Sequence, residues 1–444
     1  MALTEPATDV HGAADPEAAP PDARPADEAA APTGRPADEA AAPTGHPADE
    51  AAARPAGTSP ARASRRRPRG SRRLLVLAAP ALVFVAVRLV GLLVLTWMTR
   101  IHGGQVAHRL AKWDGQWLLA IAAGGYSEVP PGLVDAFGHR DASTPLAFFP
   151  GYPTAVSVLR FIGGTGLEAA GLTVSALAGL LLAYGLARLG ELVPGGSRTA
   201  GLLLVALVAA APMGVVWSMT YSEGMFCGFA VWALIGVLRR QWLLAGACCA
   251  LAGTVRPTGA ALLFVVGLAA LCAVVTRRDS WRPWLGGLLA PAGLLGYLAL
   301  VAAWTGSAGG WFALQRRGWN SRFDGGRATA AFTEEVLASG RSVLEVGTVA
   351  VLAGAVLLLG VCVWRRLPWP LWAYAAGVLA MDLGSNGLMN SKARLMLPAF
   401  TLLVPVALAL ARRRRGTALA VVGAAVLASA WFGGYALTGW SYAI

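Results

Sequence analysis

Residues 74–98 read LLVLAAPALVFVAVRLVGLLVLTWM, an unbroken apolar run whose only charge is Arg88. A helix needs about 20 apolar residues to cross a bilayer, and this run is longer. It follows RASRRRPRGSRR at 62–73, a segment with seven arginines and no acid. A basic cluster flush against an apolar run orients a membrane helix with that end in the cytoplasm and attracts anionic lipid. The pattern recurs along the chain. Further apolar runs lie at about 167–187, 199–217, 222–238, 241–254, 258–276, 284–304, 343–363, 368–384, 395–411 and 417–435. The chain therefore reads as an all-α polytopic membrane protein with about eleven transmembrane helices. The run at 241–254 is short and contains glycine, which points to a broken or tilted helix.

Composition agrees. Of 444 residues, 56% are hydrophobic and 14% charged, whereas soluble domains carry about 25% charged residues. The net charge of +13 does not imply nucleic acid, because most arginines sit in short clusters between apolar runs, the positive-inside pattern. Lys112 and Lys392 are the only lysines, and with the Ala and Gly content this points to a GC-rich bacterial genome. Cys227, Cys248, Cys249, Cys272 and Cys362 fall in apolar segments without metal-ligand spacing and read as small core residues.

Residues 1–61 are a different material. RPADEAAAPTG at 24–34 repeats at 35–45 and decays to HPADEAAARPAG at 46–57. Each unit holds two prolines and almost no large apolar side chain, so a disordered cytoplasmic tail is expected. It lacks the early apolar run of a secretory signal. The division is thus a tail over 1–61, a basic juxtamembrane segment over 62–73, and a membrane domain over 74–444.

Charge parity settles the orientation. Basic clusters at 62–73, Arg188 and Arg198, Arg239–Arg240, Arg277–Arg278–Arg282, Arg365–Arg366 and Arg412–Arg415 can all be cytoplasmic only if an even number of crossings separates neighbours. AFFPGYPTAVSVLRFIG at 147–163 would break that parity as a span, and it contains two prolines and an arginine. It is expected as a helix parallel to the membrane on the extracytoplasmic side. The N-terminus then lies inside the plasma membrane and the C-terminus outside, with long outer segments at 99–166 and 305–342.

Only thirteen acids follow the tail, and several gather on that outer face. Asp114 lies in KWDGQWLLAIAAGGY (112–126), Glu223 in TYSEG (220–224), and Asp324 in GWNSRFDGG (318–326). Arg256 lies in VRPTG (255–259), and Lys392 and Arg394 in NSKARLMLP (390–398). These cations break the positive-inside pattern, which a local anion would explain. A carboxylate at a helix start also has a plain structural reading, since it favours the positive end of the dipole. Lysine and arginine at a span end can simply snorkel. A carboxylate facing rim cations suits a phosphate-linked lipid donor: the cations neutralise the departing phosphate and the acid takes a proton from an acceptor hydroxyl. Trp113, Trp117, Tyr126, Phe148 and Phe149 offer faces for a sugar, or an interfacial belt.

These stretches together resemble PIG-V-type mannosyltransferases. WDGQWLLAIAAGGY followed by AFFPGYP, then TYSEGMF, VRPTG, the loop with Gln315, Gly318 and Trp319, and ARLMLPAF stand in the family's motif order over 74 to the end. The resemblance implies a GT-C fold with a long first extracytoplasmic loop and a polyprenyl-phosphate sugar donor. It implies inverting transfer with Asp114 as general base and Glu223 as a second acid. Arg256, Lys392 and Arg394 would bind the donor phosphate. Trp113, Trp117, Tyr126, His139, Tyr221, Gln315 and Trp319 would meet sugar or acceptor. Mannose is the implied sugar and arabinofuranose the alternative. The acceptor would be an envelope glycolipid, polysaccharide or protein, with membrane lipids as the other partners and no nucleic acid. No cofactor is implied, and the lack of an Asp-x-Asp motif argues against an obligatory metal. A transporter or lipid flippase is the competing class, but the membrane part shows no internal repeat of the kind transporters carry.

Overall fold

A computed structural model describes residues 69–339, 342–387, 389–440 and 443. The expected tail over 1–61 and the arginine segment up to residue 68 lie outside the described residues. Within them the protein is all-helical, with a single isolated bridge between Phe323 and Ser385 and no strand.

The chain opens with α1 (Arg69–His102), then the short α2 (Val106–Leu110), α3 (Asp114–Gly124) and α4 (Gly151–Gly163). The central helices are α5 (Leu167–Leu192), α6 (Arg198–Ala209), α7 (Glu223–Leu238), α8 (Trp242–Gly253) and α9 (Gly259–Val275). There follow α10 (Arg282–Leu289), α11 (Ala292–Thr305), α12 (Gly310–Trp319), α13 (Arg327–Ser339) and α14 (Val343–Trp364). The last group is α15 (Trp369–Leu383), α16 (Lys392–Leu395), α17 (Val404–Ala411) and α18 (Arg415–Thr438), which packs along α1.

Among the described residues, five stretches are long and apolar enough to cross a membrane: Leu74–His102, Leu167–Leu192, Arg282–Thr305, Val343–Trp364 and Arg415–Thr438. A sixth arises if Met389–Leu395 and Leu397–Ala411, bent by 53°, form one broken span. The other expected spans are shorter helices, α6 to α9 and α15. At 16 residues, α7 is about 24 Å long, below the roughly 30 Å hydrocarbon thickness. Prolines account for two of the interruptions. The run at 199–217 stays apolar in sequence, but its helix stops at Ala209 ahead of Pro212 and resumes as a 3₁₀ turn over Gly214–Ser218. The run at 395–411 passes through Pro398 and Pro405 and is likewise split.

Small residues bring the central helices into backbone contact. A Cβ on Gly201 of α6 would lie 2.3 Å from the Ala187 carbonyl of α5, and one on Gly190 would lie 2.5 Å from the Gly201 Cα. Such closeness is how membrane helices gain packing without a hydrophobic drive between them. Gly201→Val is therefore expected to destabilise the protein by at least about 1–3 kcal/mol, the usual cost of overpacking, read as a lower melting temperature in detergent. The one charge in the α1 run is also accounted for. Arg88 is buried, donating from Nη1 to the Ala209 carbonyl (2.7 Å) and from Nε to Ser218 Oγ (3.1 Å). It thus satisfies the C-terminal end of α6.

The segment at 147–163 contributes α4 from Gly151 onward, whose 13 residues are too few to span. One face buries Tyr152, Pro153 and Val156, while Val158, Phe161 and Ile162 are exposed.

Candidate active site at the helix ends

Four of the singled-out charges meet at one end of the bundle. Asp114 is the first residue of α3 and Glu223 the first of α7. Arg256 lies in the turn before α9, and Arg394 lies in α16. Arg394 Nη1 pairs with Asp114 Oδ2, and its Nε lies 3.6 Å from Glu223 Oε1. Arg256 Nη1 lies 2.8 Å from the same Glu223 oxygen and donates to Ser222 Oγ at 3.0 Å. Two acids and two guanidiniums thus form a charge-balanced quartet.

Exposure grades across it. The Glu223 side chain is 0% exposed and that of Arg394 5%, whereas Asp114 is 31% exposed. Asp114 is the acid that an incoming molecule can reach. The Arg394 guanidinium also sits 5.1 Å over the Tyr221 ring.

Local chain geometry sets Asp114 in place. Trp113 has φ 53° and ψ −116°, a left-handed φ that a bulky aromatic rarely adopts and that costs about 1–3 kcal/mol. The turn is held by Gly115 N–H donating to the Lys112 carbonyl (3.1 Å), and by Lys112 Nζ 5.5 Å over the Trp113 ring. Gly115 then packs on the loop before α7: a Cβ there would fall 2.4 Å from Thr220 Oγ1. Thr220 N–H donates to the Leu110 carbonyl at 3.0 Å, so the loop bearing Tyr221 and Glu223 is tied to the chain entering α3.

An aromatic group lines the neighbouring region. Trp117 stacks on Phe148 at 5.2 Å, and Trp319 meets Phe148 and Trp117 edge-on at 5.6 and 6.3 Å. Arg140 lies 5.5 Å over the Trp117 ring. Gln315 Nε2 and Tyr126 OH donate to the carbonyls of Ala147 (3.2 Å) and Phe148 (2.9 Å), fastening the AFFPGYP segment. Phe149 packs against Tyr297 with centroids 4.5 Å apart. Burial holds the Tyr126 phenol well up, at about 12. Gly151 N–H donates to the Thr254 carbonyl at 2.8 Å, which joins AFFPGYP to the turn bearing Arg256.

Other singled-out residues stand apart from the quartet. Lys392 is 1% exposed and aims its ammonium at the end of α15, donating to the carbonyls of Asp382 and Ser385 (2.8 Å for Ser385). His139 is exposed and is held through its backbone, its N–H donating to Asp135 Oδ1 at 2.9 Å. Asp324 accepts from the N–H groups of Ala328 (2.9 Å) and Gly326 (2.8 Å) at the start of α13. Those N–H groups, Ala328 foremost, hold its carboxyl below the usual carboxylate range.

Two features were not singled out from sequence. Asp382 is buried, and among the described residues neither carboxylate oxygen has a hydrogen-bond partner. An acid near the end of the apolar run 368–384 was the available signal. The strained Trp113 left no signal, because positive φ is not written in residue type.

No protein-family model matches the chain, and neither does any curated protein. Among solved structures, it is similar to ArnT from Cupriavidus metallidurans bound to undecaprenyl phosphate, at 18% identity and a TM-score of 0.49, covering 78% of this chain and 63% of that one. It is also similar to apo ArnT from that organism, at 20% identity and a TM-score of 0.47, covering 80% and 64%. The chain thus spans less than two thirds of the length of these structures.

Proposed function

We propose that the protein is a GT-C-type membrane glycosyltransferase that moves a sugar, mannose in the leading reading, from a polyprenyl phosphate to a cell-envelope acceptor on the extracytoplasmic face. The observation that carries this reading is the quartet itself: one accessible acid, Asp114, ion-paired to a cation at the end of the bundle where the five motifs converge. In a single inverting displacement the acceptor oxygen bonds to the anomeric carbon as the carbon–oxygen bond to the phosphate breaks. Asp114 takes the acceptor hydroxyl's proton. Arg394 and Arg256 stabilise the charge growing on the phosphate, while Lys392, turned to the carbonyls at the end of α15, anchors the segment that carries Arg394. Glu223, buried behind them, holds both guanidiniums in place. Trp113 and Trp319 give the sugar aromatic faces, backed by the buried Trp117 and Tyr221, with Tyr126 and Gln315 holding the AFFPGYP segment beside them.

The test is incubation of the purified protein with polyprenyl-phosphate-mannose and, separately, with the arabinofuranose equivalent. Consumption of the mannose donor is expected in the presence of an envelope glycolipid extract. Consumption of only the arabinose donor replaces the sugar, and consumption of neither removes the assignment.

A further inference from the structure

The ends of α7, α9 and α15 opposite the quartet enclose a second site. A cavity of about 370 Å³ lies there between the α7–α8 turn, the last turn of α9 and the start of α15. Arg240, Arg278, Thr276 and Trp369 line it. Its size is that of a small-ligand site. It also holds one acid, Asp279, which is already engaged: Trp242 Nε1 donates to it at 2.9 Å and Arg240 lies 3.8 Å away. Among the described residues Arg278 has no acidic partner. The cavity therefore offers more positive than negative charge, beside a tryptophan that is 37% exposed. Glu223 begins α7 and Arg240 follows its end, so the α7 length of about 24 Å separates this cavity from the quartet.

We propose that this cavity binds the headgroup of an anionic phospholipid. Basic pockets between membrane helices recognise such headgroups by charge. Here Arg240 and Arg278 meet the phosphate and Trp369 sits at the level of the interface, while the Thr276 hydroxyl stays bonded to the Cys272 carbonyl (2.7 Å). Asp279 sets an upper limit on the affinity, because it opposes the phosphate.

The experiment is a melting curve of the full-length protein in neutral detergent, titrated with phosphatidylglycerol, with phosphatidylcholine and with inorganic phosphate. A saturable rise in melting temperature is expected with phosphatidylglycerol alone. Each basic side chain at a lipid surface contributes about fivefold in affinity, so the double variant Arg240→Gln/Arg278→Gln is expected to raise the half-saturating lipid concentration about 30-fold. Asp279→Asn, which keeps an acceptor for Trp242 and suits the left-handed backbone there (φ 66°), is expected to lower it about fivefold. Arg365→Gln, at the same end but outside the cavity, is expected to change nothing. An equal rise with phosphatidylcholine or with phosphate overturns the proposal. So does a loss in Arg365→Gln that matches the double variant, or a failure of Asp279→Asn to bind more tightly. None of these variants touches the quartet, so the result stands apart from the transferase reading.

Discussion

Asp114→Asn is expected to lower sugar transfer about 10²–10⁴-fold, the usual contribution of a general base, while the protein keeps its melting temperature within a few degrees. The asparagine matches the carboxylate in shape and its amide oxygen still accepts from Arg394, so the start of α3 retains its contact. What disappears is the capacity to take a proton. The decisive readout is a split: initial rates with a labelled polyprenyl-phosphate sugar collapse, while binding of the donor, measured by its effect on melting, persists. Transfer at the parental rate would remove Asp114 from the chemistry and with it the central step of the proposed function.

Arg394→Gln is expected to act on stability first. Arg394 is buried and faces both Asp114 and Glu223. Removing one partner of a buried charge pair costs about 3–5 kcal/mol, because the remaining charge is left without compensation. Glu223 bears most of that burden: its side chain is fully buried and keeps only Arg256. The double variant Arg394→Gln/Glu223→Gln is expected to recover part of the loss, with a coupling of about 0.5–3 kcal/mol. Strict additivity in the melting temperatures of this cycle would mean that the two side chains do not share a site in solution.

Much of this architecture was legible in the sequence because hydropathy is a local property. The 74–98 run became part of α1, and 147–163, whose prolines and arginine argued against a span, carries the 13-residue α4. Span length was less legible. Hydropathy counts apolar residues straight through a proline, so 199–217 looked continuous although its helix ends near Pro212. The charged site was partly legible for a different reason. Asp114 and Arg394 lie 280 positions apart, and no periodicity links them. They stood out because both are costly at a membrane rim and because both lie in motifs that carry the family resemblance. The same reasoning put Lys392 beside them, yet it turns to the carbonyls at the end of α15. Whether a helix end finds other partners for its last carbonyls depends on packing, which composition does not encode. Asp382 escaped notice for a different reason: in sequence it reads as the edge of a span, and the lack of a hydrogen-bond donor for its carboxylate is visible only in three dimensions.

The even charge count of the quartet has a consequence for timing. With each guanidinium already answered by a carboxylate, the lipid phosphate of the proposed donor would find no idle cation in the quartet and would have to compete for one. If it wins Arg394, the acid released is Asp114, the reachable one. Under the proposed function, arming of the base would then coincide with docking of the donor, and without a donor Asp114 would stay neutralised by Arg394 although water can reach it.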